Sequence, residues 1–159
     1  MVKSINRPKL LLKCQPSSYF SRSFKILGSK TGDIELKFNF FGESGKIILN
    51  GDQYSVIKTG ILSGRWELIK DGVLIGSATS SRLINTYEFQ FNGLDFTLQV
   101  VSFGARHYNF CIEGEIEGTV QPESWFNRIA NIECSSIVSE FALAFSFWLI
   151  VLQSNGYRK

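Results

Sequence analysis

Residues 137–152 read Ile-Val-Ser-Glu-Phe-Ala-Leu-Ala-Phe-Ser-Phe-Trp-Leu-Ile-Val-Leu, apolar at 13 of 16 positions and broken only by Ser139, Glu140 and Ser146. An apolar run of this length without Gly or Pro predicts a helix. Ser135 or Ser136 is placed to cap its start, Glu140 falls in the positive first turn, and Asn155-Gly156 supplies a left-handed stop. The apolar residues cover the whole circumference rather than one stripe, so this helix must meet apolar material on every side. A bilayer offers that, but its core of about 30 Å calls for roughly 20 residues, and 16 at about 1.5 Å each reach only about 24 Å. The length therefore favours a helix buried in the protein's own core over a membrane anchor.

The rest of the chain has to supply the walls. From about residue 8 to 134 it reads as short β runs broken by Gly, Asn and Asp, with no helical period. In Ile34-Glu-Leu-Lys-Phe-Asn-Phe40 and Tyr87-Glu-Phe-Gln-Phe91, every second side chain faces one side of a sheet. Asn50-Gly51, Asp71-Gly72 and Asn92-Gly93 favour type I′ hairpin turns, in which both central residues take positive φ. They recur every 21 residues (71 − 50 and 92 − 71), and Glu113-Gly114 continues the series. Trp66, Tyr87 and Tyr108 hold equal offsets within this period, each followed two places later by Leu68, Phe89 or Phe110. Such regularity is that of an antiparallel meander.

Counting runs gives about twelve strands, and a sheet of that size usually closes so that its edges vanish. The expected fold is thus one mostly-β domain over residues 1–159: a closed antiparallel barrel of about twelve strands over 8–134, a buried central helix over 137–152, and a tail over 153–159. At 159 residues, such a domain buries roughly 70% of the surface exposed by its unfolded chain, without disulfide help.

This arrangement resembles the tubby-like superfamily, which includes tubby C-terminal domains, plant LURP-one-related proteins and phospholipid scramblases. Its fold is a twelve-stranded barrel around a hydrophobic C-terminal helix. The most specific local similarity is Phe141-Ala-Leu-Ala-Phe-Ser146, which looks like the Phe-Ala-Ile-x-Leu-Ser stretch at the end of tubby domains. The chain is shorter than a eukaryotic tubby domain and has neither a scramblase-like cysteine cluster nor an acidic calcium loop, so lipid scrambling does not carry over. What the resemblance implies is binding to a phosphoinositide or another anionic membrane surface, or a scaffolding role.

Charge gives the same reading a place. Residues 1–32 hold Lys3, Arg7, Lys9, Lys13, Arg22, Lys25 and Lys30 without one acidic residue, while the remaining 127 carry 10 basic and 14 acidic side chains. Attraction to phosphate should therefore concentrate on the first strands, with Lys9, Lys13, Arg22, Lys25 and Lys30 as the lipid- or anion-binding candidates. The net −4 elsewhere disfavours nucleic acid. Trp125, in Gln121-Pro-Glu-Ser-Trp-Phe126, is the candidate contact aromatic.

Catalytic and metal sites are not expected, nor is a cofactor. His107 is the only histidine, and the glycines form no phosphate-binding motif. Glu113, Glu115 and Glu117 alternate with Ile112, Gly114, Ile116 and Gly118 and read as one solvated acidic face rather than an acid/base pair. Cys14, Cys111 and Cys134 read as reduced thiols, and Leu10-Leu11-Leu12 is too short for a secretory signal, so a cytoplasmic, peripherally membrane-bound protein is expected. Cys14 is also weighed as an acylation site beside the basic segment. The expected function is a non-enzymatic binding module for anionic phospholipid. The alternatives are a protein-interaction or scaffold domain and a barrel carrier of a small hydrophobic ligand.

Overall fold

Asn50, Asp71, Asn92 and Glu113 take φ of 50°, 50°, 51° and 49°, and Gly51, Gly72, Gly93 and Gly114 after them are also positive. All four turns therefore have the expected backbone. The left-handed region suits Asn and Asp but not Glu. Glu113 is held there by its neighbour hairpin: its N–H donates to the Asp95 carbonyl, and its Oε1 accepts from the Asp95 N–H, both at 3.1 Å.

The computed structural model describes residues 8–18, 21–40, 43–60, 64–81, 86–102, 107–123, 128–135 and 138–154. Among these residues twelve strands precede one helix: β1 (Lys9–Pro16), β2 (Ser23–Leu27), β3 (Ile34–Phe38), β4 (Gly45–Leu49), β5 (Asp52–Lys58) and β6 (Arg65–Lys70). They continue with β7 (Val73–Ser81), β8 (Thr86–Phe91), β9 (Leu94–Ser102), β10 (His107–Ile112), β11 (Glu115–Pro122), β12 (Ala130–Ser135) and α1 (Glu140–Ser154). Each strand pairs antiparallel with its sequence neighbours, and β1 closes on β12 from Lys9↔Ser135 to Cys14↔Ala130. Closure satisfies both edges of what would otherwise be an open sheet. The two-residue turns lie on one rim, together with the β2–β3 connection and the start of α1; the other strand connections lie on the opposite rim.

Trp66, Leu68, Tyr87, Phe89, Tyr108 and Phe110 are all buried, so the repeated offsets do mark one inward face. Phe40 departs from the pattern. β3 ends at Phe38, and Phe40 lies outside it with 73% of its surface exposed, beneath the Arg22 guanidinium at 5.6 Å. Bulges leave Ile75 unpaired opposite Leu68–Ile69, and Glu117 unpaired opposite Phe110–Cys111.

Every residue of α1 from Glu140 to Leu152 is buried, a condition met only inside the barrel. The helix touches opposite walls. Phe141 packs on Tyr54 of β5 and Phe91 of β8, Phe145 meets Phe89 edge-on at 5.6 Å, and Trp148 stacks on Phe38 of β3 at 3.9 Å. Ser146 is fully buried, but its hydroxyl donates to the Ala142 carbonyl one turn back at 2.9 Å, so no polar group is stranded there. The helix starts at Glu140 rather than 137. Ser135 ends β12 and so does not cap it, and Ser136 lies outside the described residues; the Ser139 carbonyl accepts the first helical bond, from Leu143 at 3.1 Å. The Val138 N–H donates to the Ser135 carbonyl at 3.1 Å, so the chain is already turning away from the wall before the helix starts. Asn155-Gly156 lies outside the described residues.

Gly45 shows how tightly lumen and wall fit. A Cβ there would stand 2.0 Å from the Lys37 carbonyl oxygen and 2.5 Å from Trp148 Cη2. Gly45→Ala is therefore expected to cost about 3 kcal/mol by overpacking. Differential scanning calorimetry should find its Tm lower by roughly 6–12 °C.

Candidate functional site

The outer faces of β1 and β2 carry Lys9, Leu11, Lys13 and Gln15 beside Ser23, Lys25 and Leu27. Inward positions of the same strands, Leu10, Leu12, Cys14, Phe24 and Ile26, belong to the core. Strand alternation thus lifts every lysine of this segment onto one wall. Leu11 and Leu27 break the pattern by being apolar and outward, 67% and 44% exposed. Lys13 pairs with Leu27 in register, so both leucines sit beside the same lysine. Between them and β11–β12 lies a hollow of about 390 Å³, lined by Leu11, Lys13, Leu27, Thr119, Asn131 and Glu133 among others. Gly28 makes its edge: a Cβ there would stand 2.4 Å from the Leu11 carbonyl oxygen.

The five candidate cations are only partly brought together. Lys9, Lys13 and Lys25 share the wall, whereas Arg22 sits in the β1–β2 connection at one rim and Lys30 in the β2–β3 connection at the other. The sequence segment has no acid, yet the fold supplies some: Lys9 Nζ lies 2.5 Å from Glu133 of β12 and Lys13 Nζ 2.7 Å from Glu123. Lys25 lies opposite Glu35 in the β2–β3 ladder. Glu123 and Glu133 are distant in sequence and Glu35 lies in the next strand, so the charge of residues 1–32 alone overstates the positive field of this wall. Lys3, Arg7 and Trp125 lie outside the described residues.

The remaining chemistry-bearing residues stay apart. Glu113 sits in a turn and Glu117 in a bulge, so Glu113, Glu115 and Glu117 do not form the even row that unbroken alternation predicts. Among the described residues no group of His, Cys, Asp and Glu is arranged to hold a metal ion. Cys14 points inward and is almost fully buried, and desolvation pushes its thiol far above the ordinary value. Burial, with Glu117 and Glu140 nearby, likewise raises Cys134 to about 12. Protonated, buried thiols are poor nucleophiles, which removes Cys14 as an accessible acylation site. A larger, polar concavity of about 570 Å³ lies on the wall of β6–β9, but its Gln90 and Asp95 are bonded to each other at 2.7 Å.

Glu140, expected only as a dipole partner, proves a carboxylate with four hydrogen-bond donors. Glu140 is buried at the start of α1 and accepts from the Ser29 hydroxyl, the Lys30 N–H at 2.8 Å, the Thr31 N–H at 3.2 Å and the Thr31 hydroxyl at 2.7 Å. Burial pushes its pKa up, but these bonds outweigh it and hold the carboxyl below the ordinary glutamate value. Nothing in the sequence signals a partnership across about 110 residues. No described helix is long and apolar enough to cross a membrane. No family model, curated protein or solved structure matches the chain.

Proposed function

We propose that this protein is a non-enzymatic binding domain that docks on anionic phospholipid through the outer wall of β1 and β2. The observation that carries this reading is the exposure of Leu11 and Leu27 beside Lys13, with Lys9 and Lys25 on the same wall. Interfacial binding needs both parts: aliphatic side chains to enter the boundary region, and cations worth about 1 kcal/mol each near a negatively charged surface. The ion pairs with Glu133 and Glu123 are no obstacle, because exposed pairs contribute about 0–1 kcal/mol and exchange readily for phosphate. The resemblance to tubby-like domains supports the same ligand class. A carrier of hydrophobic cargo is less well supported, since α1 occupies the lumen that such a carrier keeps for its ligand.

Sedimentation with phosphatidylcholine vesicles, with and without phosphatidylserine, tests the proposal. Binding is expected only to the anionic vesicles and is expected to weaken with salt, as screening shortens to about 8 Å at physiological ionic strength. The triple variant Lys9→Ala/Lys13→Ala/Lys25→Ala should bind on the order of a hundredfold more weakly. Absence of binding at low salt, or a triple variant that binds like the parent, sinks the reading.

A further inference from the structure

The rim with the two-residue turns has a different surface from the β1–β2 wall. Val73, Leu74, Leu94 and Ile116 stand exposed there by 62%, 54%, 45% and 62%, at the tips of three successive hairpins, β6–β7, β8–β9 and β10–β11. The bulge at Ile75 lies in the β6–β7 ladder just behind the first tip. A hollow of about 230 Å³ opens between the first tip and the second, lined by Leu74, Ile75, Phe91 and Gly93 among others. The tips are held in place: Glu113 bonds Asp95 across β9 and β10 through both its backbone and its carboxylate.

Charge says what can cover this surface. Residues 50–52, 70–74, 91–95 and 112–116 carry Asp52, Asp71, Asp95, Glu113 and Glu115 against Lys70, and the β2–β3 connection on the same rim adds Lys30 and Asp33, which offset each other. Lys70 is itself engaged, 3.6 Å from Asp52 and over the Tyr54 ring at 5.0 Å. An anionic bilayer and a nucleic acid are both repelled by such a rim. An apolar surface ringed by carboxylates is complementary to a protein segment in which apolar side chains are flanked by lysine or arginine. We propose that this hairpin rim is a docking site for a cationic, apolar segment of a partner protein. It is separate from the lipid-facing wall and does not depend on it.

The test titrates isotope-labelled full-length protein with a synthetic peptide of alternating leucine and lysine, followed by amide chemical shifts at low and high salt. Shifts are expected at residues 71–76, 91–95 and 113–116, with affinity lost as salt rises. Leu74→Ser/Ile116→Ser and Asp71→Asn/Asp95→Asn should each weaken binding at least about tenfold. Thermal unfolding of these variants close to that of the parent shows that the fold is retained, since all four side chains are exposed. Equal binding of an alternating leucine and glutamate peptide, shifts centred on the β1–β2 wall, or variants that bind like the parent would each overturn the proposal. So would perturbation of the same amides by phosphatidylcholine vesicles, which makes the occupant a bilayer. Concentration-dependent sedimentation abolished by Leu74→Ser/Ile116→Ser also overturns it, because the occupant is then a second copy of this chain.

Discussion

A chain ending at Ser136 is expected to be insoluble, or to lack a cooperative unfolding transition, under conditions where the full chain melts as one unit. The nine largest apolar side chains of α1, from Phe141 to Leu152, are all buried against the inner faces of the barrel. Burial of such side chains stabilises by about 1.5–3 kcal/mol each, so the helix supplies on the order of 15–25 kcal/mol. That exceeds the roughly 5–15 kcal/mol by which a whole domain is stable. The truncation would also leave Phe24, Leu36, Ile47, Leu68, Phe89, Phe96 and Phe110 facing an empty lumen. Circular dichroism melting and size-exclusion chromatography of the two chains make the comparison. A truncation that folds well, beside a full chain that needs detergent, would instead make residues 137–152 a membrane segment.

Glu140→Ala is expected to destabilise the protein by about 3 kcal/mol, the scale of losing hydrogen bonds to a buried charged group. Four donors lose the carboxylate in one step, the Ser29 and Thr31 hydroxyls and the Lys30 and Thr31 N–H groups, leaving only the longer Ser29–Thr31 contacts at 3.3 Å. The carboxylate also faces the positive end of α1. The effect carries a pH signature. Because the folded-state pKa lies below that of the unfolded chain, the unfolded state binds more protons in the acid range, and stability rises with pH there. The Glu140 contribution is complete above the unfolded value of about 4.3 and is lost as pH falls through the lower folded value. Urea midpoints of the parent and of Glu140→Gln should therefore differ at neutral pH and converge towards strongly acid pH. A gap that stays constant across that range would show that the carboxylate's charge plays no part.

These two results concern the parts of the fold that were unequally legible. The helix was readable because thirteen apolar residues in sixteen leave no polar face, whatever surrounds them. The turns were readable because Asn-Gly and Asp-Gly tolerate positive φ at both central positions, a local property that needs no partner. Glu113-Gly114 was readable only through the 21-residue spacing, since the stabilising contact with Asp95 belongs to the next hairpin. The candidate wall was legible in its lysines but not in its energetics. Glu133 and Glu123, which partner Lys9 and Lys13, arrive with strands that pair only when β1 closes on β12.

Sequence by itself determined the strand periodicity, the turn positions and the need to surround the last helix, because each follows from interactions within a few residues of chain. The strand count and the all-apolar helix together also led to a closed barrel with the helix in its lumen, which the structure has; tertiary structure alone decided that Glu140 seats on Ser29, Lys30 and Thr31. It also decided which charges meet, gathering the hairpin-tip carboxylates on one rim and setting acids beside the lysines of the β1–β2 wall. The physical reason is the same in each case: hydrogen-bond closure, burial and Coulomb attraction depend on distance in space, and a barrel brings together residues more than 100 positions apart.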